Sequence, residues 1–195
     1  MIGNDIVDLK LAKTQSNWQR NGFVTKIFTS QEQHLLKNST DPFSLVWLLW
    51  SMKESAYKCY VQKKKIRFFA PKKLQCELIS ANQGLVLIDN ERYYTHSKLT
   101  NNFIVTNASS ANNDKIEQDH FKFDGLVLAA NSSMVHQKLK KALSKSLNIP
   151  VEALNIKKNT IGIPKLYQYK KQLQVSISMS HHGNYGAYSI LKINT

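Results

Sequence analysis

Three short groups of residues in this sequence combine acids, amines and imidazole in patterns that suit chemistry on a charged substrate. Asp5 interrupts an apolar run near the N-terminus, and Glu54 lies four residues before Lys58 in a long apolar segment. Ser180 and His181 follow near the C-terminus. Carboxylates are ligands of hard divalent cations, and ammonium and imidazole groups bind phosphate. Each group also has an ordinary structural interpretation: a turn residue at a strand edge, a surface ion pair, or a solvated histidine in a loop.

The segment that carries Glu54 and Lys58 predicts a long helix. Asp41 supplies an N-cap acceptor and Pro42 suits the first helical position, so we expect a helix from Pro42 to about Lys63. Its residues are apolar on almost every side, which is typical of a buried helix. Two interpretations of the Glu54–Lys58 pair stay open: a surface ion pair on one wet stripe, or a carboxylate and an ammonium group facing a cleft.

Two further helices have recognisable signals. Thr29 to Glu32 matches a capping box, which predicts a helix from about Ser30 to Asn38. A later helix is predicted to start after a cap at Ser132 or Ser133, and its apolar stripe runs through Val135, Leu139, Ala142, Leu143 and Leu147. It should end before Pro150.

Strands are predicted between and around these helices. Alternating or continuous apolar residues mark the strands Met1–Leu9, Leu74–Ile79, Gly84–Asp89, Arg92–Lys98, Asn102–Thr106, Leu126–Ala130, Gln174–Ser178 and Tyr185–Lys192. Polar, turn-forming residues predict a loop or hinge over Asn107–Asp119 and a loop around Ser180–Asn184.

Composition limits the cellular setting and the kind of partner. The 195 residues suit one domain, and 27 Lys and Arg against 13 Asp and Glu give a net charge of +14. That charge favours a nucleic acid, an anionic membrane surface, an acidic protein or a phosphorylated ligand. No apolar run is long enough for a membrane span, and no signal peptide is recognisable. Cys59 and Cys76 are predicted as buried thiols of a cytoplasmic protein.

The three groups occur in the order of the motifs of one known family. The sequence resembles the 4′-phosphopantetheinyl transferases, and within them the holo-acyl-carrier-protein synthases. A Gly-x-Asp-Ile-Val strand is matched by Gly3, Asp5, Ile6 and Val7. A Phe-x-x-Arg-x-Leu-Thr-x-x-Glu element is matched by Phe23 to Glu32, with Lys26 for Arg and Phe28 for Leu. The Trp-x-x-Lys-Glu-(Ala/Ser)-x-x-Lys helix is matched by Trp50, Lys53, Glu54, Ser55 and Lys58.

The C-terminal motifs match less completely. Gly-Lys-Pro-x-Leu appears as Gly162, Ile163, Pro164 and Leu166, and Ser-x-Ser-His appears as Ser178, Ser180 and His181. Because Ile163 replaces the motif's Lys, one phosphate contact is either missing or supplied by Lys165. Val7 stands where the surfactin-type branch has a further metal carboxylate, so the resemblance implies a two-carboxylate site.

The resemblance implies an α+β fold of two pseudo-related halves, each a long helix packed on a small antiparallel sheet. The middle of the chain resembles the C-terminal half of the surfactin-type enzymes, and the segment from Ser132 to Ile190 resembles their N-terminal half. We therefore expect one domain over residues 1–195, with two pseudo-repeats over 1–110 and 120–195 in permuted order. A monomer with one complete site is the expected state, and a trimer is the alternative.

The same resemblance implies a reaction and its residues. The enzyme would move the 4′-phosphopantetheine arm of coenzyme A to a serine of an acidic apo carrier protein, with Mg²⁺, in fatty acid or related biosynthesis. Asp5 and Glu54 would bind the metal, and Glu54 or a water on the metal would accept the serine proton. Coenzyme A phosphates would be bound by Lys53, Lys58, Lys158, Lys165, Ser180 and His181. Glu54 and Lys58 would be the catalytic pair.

Two other functions remain as alternatives. A basic nucleic-acid-binding module would explain the charge, but the sequence has no recognisable nucleic-acid-binding motif, so we expect no nucleic acid partner. A relative that binds coenzyme A without transferring its arm would explain Ile163. We expect no membrane partner.

Overall fold

The structure, a computed structural model, describes residues 1–68, 70–112, 115–123 and 131–192 and has a mixed α+β architecture. Its helices are α1 (Leu9–Gln15), α2 (Phe23–Ile27), α3 (Ser30–Lys37), α4 (Pro42–Lys64) and α5 (Asn131–Leu147). Its strands are β1 (Ile2–Asp8), β2 (Gln75–Leu78), β3 (Gln83–Ile88), β4 (Glu91–Leu99), β5 (Phe103–Ser109), β6 (Glu117–Lys122), β7 (Leu154–Lys158), β8 (Pro164–Gln168), β9 (Lys171–Gln172), β10 (Val175–His182) and β11 (Tyr185–Lys192). The predicted fold class is confirmed.

The first half is a five-stranded antiparallel sheet with α4 packed across it. The strand order is β1-β5-β4-β3-β2. The Asp41 side chain accepts a hydrogen bond of 3.0 Å from the Ser44 amide and so caps α4, as predicted. Leu49, Met52 and Ala56 of this helix are fully buried in the core that it forms with the sheet. Burial on several sides explains why α4 is apolar almost all round.

The second half is smaller and is built around α5. This helix packs on the antiparallel sheet β10-β11-β6 and on the three-stranded sheet β7-β8-β9. Leu139 and Leu143 of α5 meet Leu154, Leu166 and Ile177 in a separate buried core. That the two halves are repeats over 1–110 and 120–195 stays a prediction.

Most predicted elements are present, but the central loop was predicted too long. The helices α3 and α4 and the β2–β5 meander lie where the sequence placed them. The predicted loop Asn107–Asp119 is wrong at both ends, because β5 continues to Ser109 and β6 begins at Glu117. The buried Asn107 side chain donates to Gln118 and accepts from Ser189, so polar residues here face other polar residues. The predicted strand Leu126–Ala130 lies outside the described residues.

The C-terminal half also differs from the prediction in detail. Ser180 and His181 lie on β10, which extends four residues beyond the predicted end at Ser178, so the turn is confined to Gly183 and Asn184. Both predicted caps of α5, Ser132 and Ser133, lie inside its first turn. The small sheet β7-β8-β9 had no prediction. Within the described ranges, no helix has the length and apolar character needed to cross a bilayer.

Candidate active site

A cleft of about 360 Å³ lies between the two halves. Its polar lining from the first half includes Asp5, Glu54, Lys58 and Arg67. From the second half it includes His136, Lys158, Ser180 and His181. The cleft therefore brings together most of the predicted site residues, from segments 100 or more residues apart in the sequence.

The acidic side of the cleft is built by β1 and α4. Lys58 Nζ donates 3.1 Å to Asp5 Oδ1 and 2.7 Å to the Asn4 carbonyl oxygen. Gly3 permits this close packing, because a Cβ at that position would overlap the Ser55 carbonyl oxygen of α4. The strand that carries Asp5 thus lies directly against the helix that carries Glu54 and Lys58.

Glu54 is partly buried in this acidic corner. Burial raises the pKa of its carboxyl group above 4.5, the nearby Asp5 charge raises it further, and Lys58 opposes both effects. Ionised Glu54 beside Asp5 is an unfavourable arrangement that a divalent cation would relieve. Of the two interpretations of the Glu54–Lys58 pair, the structure favours the cleft.

The two carboxylates fit a Mg²⁺ ion that would take most of its other ligands from the substrate and from water. Among the described residues, no three His, Cys, Asp or Glu side chains cluster as a full protein ligand set would. Mg²⁺ commonly takes one or two carboxylates and completes its shell with phosphate oxygens and waters. Asp5 and Glu54 are such a pair.

The opposite wall of the cleft is cationic. Lys158 lies at the end of β7, and Ser180 and His181 lie near the end of β10. The pKa of His181 is lowered below 6.5, first by burial and then by the positive charges of Lys58 and Lys158. Neighbouring positive charge means that an anion bound here would bring the His181 pKa back up.

Sequence analysis missed two cations of the cleft. Arg67 follows α4 in an irregular segment, and its Nη1 atom lies 3.8 Å from the place a Cβ on Gly162 would take. His136 lies on α5, and burial followed by the Lys158 charge lowers its pKa below 6.5. Neither residue belongs to a motif that the sequence analysis used. The available signal for His136 was that it directly follows Val135, a residue of the apolar stripe.

Ile163 joins the core and also lines the cleft, whereas Lys165 does not line the cleft. Ile163 is only 3% exposed and joins the core of the first half, so this position cannot carry an ammonium group without disrupting packing. Lys165 is outside the cleft lining and lies beside Lys65, whose pKa falls below 10.5 through burial and then through the Lys165 charge. The structure therefore places Arg67, not Lys165, next to Gly162.

Lys53 is not brought together with the other predicted phosphate-binding residues. It is 2% exposed, and its Nζ forms an ion pair of 2.8 Å with the fully buried Glu32. The same Nζ donates 3.1 Å to the Pro71 carbonyl oxygen and also to that of Leu74. All three ammonium donors are thus engaged. Lys53 therefore supports the fold beside the cleft and has no free donor for a phosphate in this structure, and its phosphate-binding role stays a prediction.

Asp8 and His182 also form hydrogen bonds that support the fold. Asp8 is 1% exposed; its carboxylate caps α1 by accepting from the Leu11 amide at 3.1 Å and accepts 3.0 Å from the Asn184 amide. The Asp8 amide in turn donates 2.9 Å to His182 Nδ1. Asp8 therefore joins the end of β1 to the β10–β11 turn and is not among the residues that line the cleft.

The cleft holds two carboxylates and several cationic side chains, an arrangement that would suit a polyanionic substrate bound together with a divalent cation. Comparison with family models is more specific: the model described as the 4′-phosphopantetheinyl transferase superfamily matches residues 1–108, just over half of the chain. The protein belongs to this superfamily. The matched range contains Asp5, Glu54 and Lys58, whereas Lys158, Ser180 and His181 lie beyond it.

Two other comparisons were made. No curated protein matches the chain. Among solved structures, the chain is similar to the Thermotoga maritima holo-[acyl-carrier-protein] synthase, with 10% sequence identity, a TM-score of 0.44, and coverage of 85% of this chain and 81% of that one.

Proposed function

We propose that this protein transfers the 4′-phosphopantetheine arm of coenzyme A to a serine hydroxyl of an acyl or peptidyl carrier protein. The observation that carries the proposal is the single cleft in which Asp5, Glu54 and Lys58 face Lys158 and His181. Membership of the superfamily supports phosphopantetheine transfer in general. The carrier and the holo-acyl-carrier-protein synthase type of activity are parts of the proposal.

The proposed step is a substitution at phosphorus. The serine oxygen forms a bond to the β-phosphorus of coenzyme A, the bond from that phosphorus to the bridging oxygen breaks, and adenosine 3′,5′-bisphosphate leaves with the electron pair. Glu54 is the carboxylate we assign to accept the serine proton, because burial and Asp5 raise its pKa and make it a stronger base. Lys58, which now contacts Asp5, is placed to contact the leaving pyrophosphate oxygen.

Asp5 and Glu54 would hold Mg²⁺, which would neutralise pyrophosphate charge when bound. Other side chains, most of them cationic, would bind the phosphates of the substrate. We assign Lys158, Ser180 and His181 to the phosphates, and we add Arg67, which lies beside Gly162 where the family's Lys is absent. A guanidinium group binds two phosphate oxygens at once, so this exchange preserves the interaction.

Lys165 and its neighbour Lys65 form a second positive site outside the cleft lining. Burial and then the Lys165 charge lower the Lys65 pKa, and an anion between the two ammonium groups would offset the effect of that charge. We propose that the 3′-phosphate of coenzyme A binds here.

The pantetheine arm has a separate place in the proposal. A groove of about 390 Å³ shares Glu54, Tyr57 and Arg67 with the cleft and is otherwise mainly apolar, with Trp50 and Phe68 among its lining residues. The arm is less polar than the pyrophosphate, which suits this groove.

A carrier protein and a cytoplasmic setting complete the proposal. The net charge of +14 favours an acidic carrier, and the two cysteines are buried thiols, which suits a reducing compartment. One chain supplies both walls of the cleft, so we propose an active monomer.

The test is a transfer assay. The protein is incubated with coenzyme A, Mg²⁺ and an apo carrier protein, and the carrier is weighed by intact mass spectrometry. We expect the added mass of one phosphopantetheine arm, and no addition when Mg²⁺ is chelated. Coenzyme A binding without any transfer to fatty acid, polyketide or peptide carriers would refute the proposal and favour a binding-only relative.

A further inference from the structure

The active-site strands β1 and β10 lie side by side, although they belong to different sheets. In the part of the chain that the structure describes, β1 pairs through its backbone with β5, and β10 pairs with β11. Contacts between β1 and β10 are nevertheless extensive. The edge of β1 that faces β10 therefore has backbone amides that need other partners.

Side chains of β10 supply those partners. The Ile2 amide donates 2.9 Å to Ser176 Oγ, and the Asn4 amide donates 2.9 Å to Ser178 Oγ. Further along, the Asn4 side chain donates 3.1 Å to Ser180 Oγ. The alternating serines of β10 thus replace a backbone ladder, and the two halves meet through side-chain hydrogen bonds.

Gln62 of α4 closes this network. Its Nε2 donates 2.8 Å to the Ile2 carbonyl oxygen and 2.9 Å to that of Ile177, and its Oε1 accepts 2.7 Å from Ser176 Oγ. Gln62 is only 5% exposed, so both amide hydrogens and the amide oxygen are used inside the protein. Loss of any of these bonds leaves a buried polar group unpaired.

The position of Gln62 connects it with the reacting groups. Glu54, Lys58 and Gln62 are spaced four residues apart and lie on one face of α4. Its partner Ile2 precedes Asp5 by three residues on β1, and its partner Ile177 precedes His181 by four residues on β10. The Gln62 amide on α4 therefore bonds both β1, which carries Asp5, and β10, which carries Ser180 and His181.

We infer that Gln62 is a positioning residue that fixes the cationic strand β10 against the metal-binding pair on β1 and α4. This inference rests on the proposed function for its catalytic consequence only. The acidic wall has its own connection, because Lys58 bonds the Asn4 carbonyl oxygen independently of Gln62. Removing the Gln62 amide should therefore move the two walls relative to each other and leave the metal-binding wall intact.

The first test needs no activity. Gln62→Leu keeps similar side-chain volume and removes all three hydrogen bonds. We expect amide hydrogen exchange at Ile2 and Asn4 to become roughly tenfold faster or more, while amides within the β3–β4 ladder keep their protection. Ser97→Ala is the control, since it removes a buried 2.9 Å contact with Thr106 inside the five-stranded sheet. Unchanged exchange at Ile2 and Asn4, or uniform loss of protection, would refute the inference.

The second test separates positioning from folding. In Gln62→Leu, we expect kcat for arm transfer to fall about 10- to 100-fold, with the Mg²⁺-dependent thermal shift retained. Gln62→Glu can donate only when protonated, so its kcat should rise as pH falls, a limb absent from the unaltered protein. Equal kcat in all three proteins, or loss of the Mg²⁺ shift together with kcat, would overturn the inference. If the unaltered protein transfers nothing, the proposed function fails, and hydrogen exchange alone decides the role of Gln62.

Discussion

At the scale of single residues, the site depends on a carboxylate kept in an unfavourable environment. Because burial and Asp5 raise the Glu54 pKa in the folded state, folding disfavours the ionised form. The contribution of Glu54 to stability is thus complete below its unfolded pKa and is lost as pH rises through the folded value. A side chain that cannot ionise avoids that loss.

We expect Glu54→Gln to raise the melting temperature of the metal-free protein at pH 7 relative to the unaltered protein, and to have a smaller effect near pH 4. It should abolish the Mg²⁺-dependent thermal shift and lower transfer by about 100-fold or more. Thermal unfolding with and without Mg²⁺ measures the first two. Glu77→Gln, at an exposed position of β2, is the matched control. A full Mg²⁺ shift in Glu54→Gln would remove this residue from the metal site.

The next prediction concerns His181, which is positively charged when protonated, whereas Glu54 is negatively charged when ionised. Its pKa is lowered below 6.5 by burial, Lys58, Lys158 and His182, and a bound phosphate would raise it. We therefore expect coenzyme A binding to take up protons at pH values between the free-state and the bound-state pKa of His181, and affinity to fall as pH rises through the bound-state pKa. Calorimetry in two buffers of different ionisation enthalpy measures the uptake.

Substitution of His181 by Ala should remove that proton uptake, whereas His96→Ala, at an exposed position of β4, should not. Proton uptake that persists unchanged in His181→Ala would mean that another group titrates, and His136 would then be the candidate because it lines the same cleft.

Substitutions in the Lys53–Glu32 pair test whether Lys53 supports the fold or binds the substrate. Lys53→Met leaves Glu32 as an unpaired buried charge, so we expect it to lower the free energy of unfolding by roughly 3–5 kcal/mol. Adding Glu32→Gln should recover part of that loss, because the charge is removed. Urea unfolding measures both. In the folded protein, the KM for coenzyme A should stay within about threefold of the unaltered value; a rise of tenfold or more would return Lys53 to the phosphate site.

At the scale of elements, helices and strands were predicted correctly where the sequence has a clear local signal. Asp41 with Pro42, and Thr29 with Glu32, mark helix starts by capping chemistry, and the structure contains both caps. The end of β10 gave no such signal. Ser180 is buried against the Asn4 side chain of β1, so its polarity suggested a loop where a strand exists.

The same limit applies to the site residues. Asp5, Glu54, Lys58 and His181 were predicted because a resemblance covered them, whereas Arg67 reached the cleft through the irregular segment after α4. The ion pair of Lys53 was not predicted, because a sequence cannot show that Glu32 approaches it from another helix. Pairings between distant segments decide which polar side chains are used structurally.

Packing between β1 and α4 gives a prediction at this scale. Gly3 has no room for a Cβ against the Ser55 backbone, so Gly3→Ala must separate the strand from the helix. We expect destabilisation of about 1–3 kcal/mol and a weakened Mg²⁺ thermal shift, because Asp5 moves away from Glu54. Chemical unfolding and metal titration measure the two effects. Normal stability together with a normal metal shift would show that the close contact is unimportant for the site.

At the scale of the whole molecule, we propose that one chain forms a complete site from two dissimilar walls. Acidic residues come from the part of the chain that matches the family model, and cationic residues come mainly from the part after it. The wide sequence separation explains why neither half could show the site alone. A site formed between subunits would behave differently when damaged copies are mixed.

The most direct measurement is therefore a mixing experiment on arm transfer. The rate of carrier modification is measured by intact mass for the unaltered protein, for Asp5→Ala, for His181→Ala and for an equal mixture of the two variants. We expect efficient transfer by the unaltered protein, losses of about 100-fold in each variant, and no recovery in the mixture. Recovery in the mixture would contradict the one-chain site, and absence of transfer by the unaltered protein would contradict the proposed function itself.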